Sequence, residues 1–245
     1  MIFASKDRIE SNTAKGWWGT ETLDQLFLSK VASAPDHTAV IDPDNRDDIT
    51  HGKAQRLSYR DLNRKVTEAA EQFIKRGVVK DDIVVFQLPN IHESIVILLA
   101  CSRVGALASP VLVDFAGHEL AQILDHVKPK LFVTVNRFKK RDLLAAAAPI
   151  CQKHGVSLVF VEDLDQSFSE SQLEVAEKII ASHQLCNALT ANDVNTICWT
   201  SGTEGFPKAV MRTHNQWMVT GRAMTDGASI RDGDVILNAR PLVNM

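Results

Sequence analysis

A chain of 245 residues has room for one large domain or two small ones, and with 45% hydrophobic and 23% charged residues it can build an ordinary core. Its formal net charge of −3, with neither a basic excess nor a like-charged block, argues against a nucleic-acid surface and against a charged interaction tail. Charges at Lys6, Asp7 and Arg8 come too early for a secretory leader, and the longest apolar stretch, residues 95–101, is far short of a bilayer span; no membrane span and a cytoplasmic location are therefore expected.

In chain order, residues 1–56 read as an irregular amino-terminal segment packed on the domain. Within it, Leu23, Leu26, Phe27 and Val31 recur at helical spacing and predict a short helix over 22–33, followed by a strand over 38–42. Trp17 and Trp18 are expected to pin this segment down. A regular rhythm starts at residue 57. Ser58 is a suitable N-cap for a helix over 59–76, along which Leu62, Val66, Ala69, Ala70 and Phe73 form a stripe, and Gly77 is placed to end it. Arg60, Asp61 and Arg64 suggest ion pairing on that helix's surface.

Strands follow at 83–88, 106–113, 131–135, 156–161 and 194–200, and helices at 91–104, 117–127, 137–154 and 171–184. Apolar strands alternating with helices predict an α/β fold: a parallel-rich sheet covered by helices on both faces. Residues 57–245 form that region. Arg103 and His118 are expected in solvent, and Trp199 in the core. Cys101, Cys151, Cys186 and Cys198 form no Cys-x-x-Cys pair and lie near no His at ligand spacing, so buried reduced thiols and no metal site are expected.

The last predicted strand runs into Thr200, Ser201, Gly202, Thr203, Glu204, Gly205, Phe206, Pro207 and Lys208. That mixture suits a polyphosphate. Glycines let backbone N–H groups converge on anionic oxygens, hydroxyls donate further hydrogen bonds, and the Lys adds a mobile positive charge. Neither G-x-x-x-x-G-K-[ST] nor G-x-G-x-x-G is present, which disfavours a P-loop NTPase and a Rossmann dehydrogenase.

The stretch resembles the signature of the adenylate-forming (AMP-binding) superfamily, Thr-Ser-Gly-Thr-Thr-Gly-x-Pro-Lys-Gly-Val with Thr-His shortly after. Thr200, Ser201, Gly202, Thr203, Gly205, Pro207, Lys208 and Val210 match in place, and Thr213 and His214 follow. Glu204 stands for the usual Thr and Ala209 for the usual Gly. Residues 57–62 and 99–106 resemble earlier family elements, and residues 240–245 resemble the Pro-Leu-x-His segment that borders the acyl pocket, with Asn244 in the His position.

The resemblance implies the amino-terminal part of the large domain of an acyl-CoA synthetase or aryl-CoA ligase type enzyme. It implies an incomplete AMP-binding large domain over 57–245, with the small carboxy-terminal domain absent. Thr200, Ser201, Gly202, Thr203, Gly205 and Lys208 would bind the ATP phosphates. His214 is a candidate for loop support and Asn244 for the acyl-pocket border, and no catalytic residue is assigned. ATP, Mg²⁺ and CoA are the implied cofactors of a parent ligase, and a carboxylic acid plus CoA or a carrier thiol its partners. Ending such a fold mid-core should expose apolar surface, and the chain alone is expected to be inactive. The alternative from another class is a naturally short phosphate-binding or interaction module without catalysis.

Overall fold

A computed structural model describes residues 1–200 and 207–244. The elements are α1 (Lys6–Ala14), α2 (Leu23–Ser33), β1 (Thr38–Ile41), α3 (Arg46–Ile49), β2 (Arg56–Ser58), α4 (Tyr59–Lys75), β3 (Ile83–Gln87), α5 (His92–Val104) and β4 (Leu107–Pro110). They continue with α6 (Gly117–Val127), β5 (Leu131–Thr134), β6 (Arg137–Phe138), β7 (Arg141–Asp142), α7 (Leu143–His154), β8 (Ser157–Phe160), α8 (Glu170–Cys186), β9 (Val194–Thr200), β10 (Lys208–Thr213) and α9 (His214–Gly227).

The main sheet has the order β10-β9-β4-β3-β5-β8 and is parallel except for β10, which returns antiparallel on β9 at one edge. The parallel strands are apolar along their length because both faces are covered. On one face, Phe27 of α2, Val66 and Phe73 of α4, Ile97 and Ala100 of α5 and Ile180 of α8 pack on Val84, Phe86, Ala108 and Val133. On the other face, Leu120 and Ile123 of α6 and Ala147 and Cys151 of α7 pack on Val85, Leu107, Phe132 and Trp199. The α/β architecture read from the alternation of elements is the one observed.

Helix starts follow their caps. Thr22, Ser58 and Ser169 each accept the N3 amide while the N3 side chain caps back, giving α2, α4 and α8 a reciprocal capping box. Gly105, at φ 82°, ends α5 in the left-handed region that a side chain disfavours.

Several expectations are corrected. The helix placed at 137–154 begins only at Leu143. Residues 137–142 form the small β6–β7 hairpin, because Lys139 takes φ 54°, Arg141 reaches the Val113 carbonyl and Asp114, and Asp142 caps the helix by accepting the Ala145 amide. A helix not foreseen, α1, carries no buried residue and so left no apolar stripe to find. Trp18 is buried, but Trp17 is 55% exposed. Cys186 is exposed at the end of α8 while the other three cysteines are buried. The charges of α4 reach other elements: Arg60 pairs with Asp36, Arg64 with Glu170 and the Phe168 carbonyl, and Asp61 caps Ser58.

Arg103 is not solvated. Its Nε donates to Asp24 at 3.0 Å, one terminal nitrogen donates to Thr67 and the other to Asn63. Arg103 and Asp24 are each 5% exposed, so the pair locks α2 to α4 and α5 from inside. A second buried network ties α3 to α5. Asp42 accepts from the His92 amide and from Arg46, whose other nitrogen meets Glu93. Glu68 of α4 accepts from the amides of Gln166, Ser167 and Phe168, which fixes the polar loop before α8.

Exposed apolar side chains gather late in the chain, at Val210 and Met211 on the edge strand β10 and at Val235, Ile236 and Leu237 beyond α9.

Two predictions follow from the buried ions. Arg103→Met leaves the Asp24 carboxylate buried without its partner, and urea unfolding is expected to show a loss of roughly 3–5 kcal/mol. Burial alone would raise the Asp42 carboxyl, but hydrogen bonds from His92 and Arg46 outweigh it and hold its pKa at about 2, below the ordinary 3.8. Its stabilisation is therefore complete above about pH 4 and disappears as pH falls toward 2, amounting to about 2 kcal/mol. Asp42→Asn should flatten that acid limb; an unchanged limb would assign it to other groups.

Candidate phosphate-binding site

β9 is buried from Val194 to Trp199, polar Asn195 and Thr196 included, and then surfaces at Thr200. The chain returns as β10 with Lys208 paired to Thr200 and Ala209 to Trp199. Thr200 Oγ1 lies 3.5 Å from the Lys208 carbonyl as donor to it. The two ends of the glycine loop are thus held side by side at the carboxyl edge of a parallel sheet, where open α/β folds collect ligands. Ser201, Gly202, Thr203 and Gly205, with Glu204 and Phe206, lie outside the described residues. Lys208 is exposed and Pro207 buried, so the loop's return is anchored while its cation stays in solvent.

Beneath the loop, the Trp199 indole N–H donates to Ser109 Oγ at 2.9 Å, and the His126 ring meets the Trp199 ring edge-on at 6.3 Å. This satisfies the one polar atom of a core tryptophan and fixes the strand end on β4. Beside it, the Gln87 amide, 1% exposed, donates to the Leu112 and Phe115 carbonyls, and Thr134 donates to the Gln87 carbonyl. Sequence reasoning did not single these residues out; their signal was a polar residue at the end of each apolar strand.

The segment that resembles the acyl-pocket border crosses the same edge. Asn90 donates to the Arg240 carbonyl at 2.6 Å and accepts the Leu242 amide at 2.9 Å, and Val243 is buried. Asn244 closes the short 3-10 turn Leu242–Asn244, and its side chain lies outside what is described. Asn90 therefore does with one amide what a strand pair would do, holding residues 240–242 by both backbone polarities.

His214 lies elsewhere. It opens α9 at the far end of β10, and six strand residues put it about 20 Å from Lys208. Its Nδ1 accepts the Leu23 amide at 3.2 Å, and Asn215 next to it bonds Gly19 through both its donor and its acceptor. The ring is 1% exposed. Burial lowers its pKa to about 4; Asp193 opposes that shift and the Met1 ammonium adds to it. The neutral ring, with its proton on Nε2, is the form that can accept from Leu23.

Asp42, His92 and Glu93 bring ligand-type atoms within 4.8 Å of one another. The Arg46 guanidinium fills the space between them, bonded to all three side chains. A metal cation there would face a fixed positive charge, so these residues form an ion-pair network. Among the described residues no helix is long and apolar enough to cross a membrane.

Comparison with known proteins places this architecture. The family described as AMP-binding enzyme matches residues 27–245. The medium-chain fatty-acid–CoA ligase of Escherichia coli (strain K12) is 29% identical over 231 residues, 93% of this chain and 39% of that protein. The mitochondrial acyl-CoA synthetase short-chain family member 3 of Rattus norvegicus is 31% identical over 188 residues, 67% of this chain and 26% of that protein. Among solved structures, MbtA of Mycobacterium smegmatis without ligand superposes with a TM-score of 0.79 at 21% identity, covering 99% of this chain and 43% of that one. O-succinylbenzoate coenzyme A synthetase of Bacillus subtilis, in complex with AMP, gives 0.68 at 20% identity, covering 92% and 51%. These two likenesses concern the fold. The chain spans well under half the length of the curated relatives named here, and corresponds to the amino-terminal part of such enzymes. On its sequence match over residues 27–245, this chain belongs to the AMP-binding enzyme family.

Proposed function

We propose that this chain is the nucleotide-phosphate-holding part of an ATP-dependent acid–thiol ligase. The observation that carries this reading is the β9–β10 hairpin, which sets Thr200 beside Lys208 at the carboxyl edge of the sheet and so brackets a loop rich in glycine and hydroxyls. In the proposed reaction a carboxylate oxygen attacks the α-phosphorus of ATP, pyrophosphate leaves, and an acyl-adenylate forms. A thiol, that of CoA in our reading, then attacks the acyl carbon and AMP leaves. The part of this chain is to bind and orient the β- and γ-phosphates with the hydroxyls of Thr200, Ser201 and Thr203, the amides of Gly202 and Gly205, and the Lys208 ammonium. Mg²⁺, arriving with the triphosphate, would neutralise further phosphate charge. The names of the two curated relatives point to fatty and short-chain acids, and an aliphatic series is the substrate set to screen.

By the same reading, no catalytic residue is assigned among the described residues, and the chain is taken to bind nucleotide without turning it over. His214 acts at a distance: it pins α2 to the start of α9, and so holds the amino-terminal segment against the hairpin that carries the loop.

The first test is calorimetric titration of the chain with MgATP, paired with carboxylate-dependent ATP–pyrophosphate exchange. Lys208→Ala is expected to weaken MgATP binding about tenfold or more by removing a charge-assisted contact, and exchange is expected to be absent with every acid tried. Equal affinity in the variant would remove Lys208 from the site, and robust exchange would make the chain a complete activating enzyme. For His214, a pKa of about 4 in the fold against 6.5 when unfolded means that its stabilisation is present above pH 6.5 and is lost as pH falls through that window, by about 3 kcal/mol. Unfolding measured from pH 7 to 4 should show that loss, and His214→Gln should remove it.

A further inference from the structure

A cavity lies away from the glycine loop, between α2, the start of α4 and α5. It measures about 280 Å³, and Phe27, Leu98 and Leu99 give it apolar walls. Ser102 and Asn195 also line it, with Lys30 at its rim. Ser102 is 2% exposed and Asn195 1% exposed, and neither the Ser102 hydroxyl nor either atom of the Asn195 amide has a hydrogen-bond partner. Three buried polar atoms without a protein partner are costly unless a water or a ligand meets them.

The backbone explains why Asn195 faces this way. Arg212 of β10 pairs with Thr196, and Thr213 pairs with Val194, so β9 holds one extra residue, Asn195, opposite its neighbour. Such a bulge interrupts the alternation of side chains. Val194, Ile197 and Trp199 pack in the core under α6 and α7, while Thr196, on the other side, receives the Trp217 indole N–H of α9. The bulge puts Asn195 on the side of Thr196, toward α2 and α5, where the cavity is. Regular pairing would have turned it under α6.

We infer that this cavity is a binding site for a small uncharged amphiphile, an apolar body with one donor–acceptor edge such as a carboxamide, which the Asn195 amide and the Ser102 hydroxyl recognise. The volume is roughly twice that of an apolar cavity that takes one benzene molecule. The apolar walls suit a short aliphatic body. Lys30 is the one charged residue in the lining, and it is exposed and shared with Asp232. A charged head would therefore lose its hydration without a buried counter-charge, whereas a carboxamide both donates to and accepts from Asn195.

The test uses the intact chain and hexanamide as probe, followed by ¹H–¹⁵N NMR. Saturable shifts are expected at the Asn195 side-chain amide and at the backbone of Leu98, Leu99 and Ser102, with a Kd of about 1 mM or tighter. Pentyl methyl ether, of similar shape without a donor, should bind about fivefold more weakly, and Ser102→Ala should weaken hexanamide by a similar factor. Asn195→Leu should abolish the preference for the amide over the ether; Ser102→Ala, which removes one oxygen from a helix, decides the matter if Asn195→Leu does not fold. No saturable shift up to about 10 mM would overturn the proposal. So would equal affinities for amide and ether, or a crystal soaked with hexanamide whose cavity holds ordered water only.

Discussion

The constraint on which the fold depends is that a parallel sheet must be buried on both faces. β3, β4, β5, β8 and β9 run the same way, so each link between them is a crossover carrying a helix, and the helices must divide between the two faces. α4, α5 and α8 take one face with α2, and α6 and α7 take the other. All five strands then end at the same edge, and their loops collect there. The glycine loop reaches a ligand-accessible edge because the sheet leaves a strand's carboxyl end nowhere else to go.

Apolar packing alone does not set how the helices meet; buried charges do much of that. Arg103 can satisfy Asp24, Thr67 and Asn63 together only when α2, α4 and α5 sit in one arrangement. Glu68 does the same for the loop before α8 with three backbone amides, and Arg46 does it for α3 and α5. Each is a long-range contact between groups that would be costly to bury singly, so a shifted helix would leave a charge stranded. The fold is specified by these geometric demands as well as by the area it buries.

This division accounts for what could be read in the sequence. Elements with an apolar period, such as α4, α6 and β9, were legible almost to the residue, since periodicity records which face is buried. Ser58 announced its helix because a cap is a local device. What escaped was set by tertiary partners. Arg103 gave no sign of being buried because its partners lie up to 79 positions away. The β6–β7 hairpin hid inside a run that also suits a helix, and the antiparallel edge strand carries exposed Val210 and Met211 that look like interior residues. The candidate site was legible only as a motif on Thr200 to Lys208, and the register of β9 with β10 adds how the two ends of that stretch are held. One departure from the family pattern also becomes intelligible: Ala209 lies in a paired, exposed strand position opposite Trp199, with no left-handed backbone to require glycine.

β9 serves two regions with opposite needs. Its carboxyl end surfaces at Thr200, where polar groups stay in water and can be shared with an anion. Five residues earlier, about 17 Å away, the bulge puts Asn195 into a largely apolar cavity where its amide has no protein partner. Between them the strand is paired on both sides, to β4 and to β10, and packed beneath Trp199. Shifting such a ladder would break its pairing on both sides, and coupling between two sites requires an element with two arrangements. Occupancy of the lower cavity should therefore leave the register of Thr200 with Lys208 unchanged. If the two regions do communicate, the path runs through α2, which lines the cavity with Phe27 and is tied by its first amide to His214 and by Asp24 to Arg103.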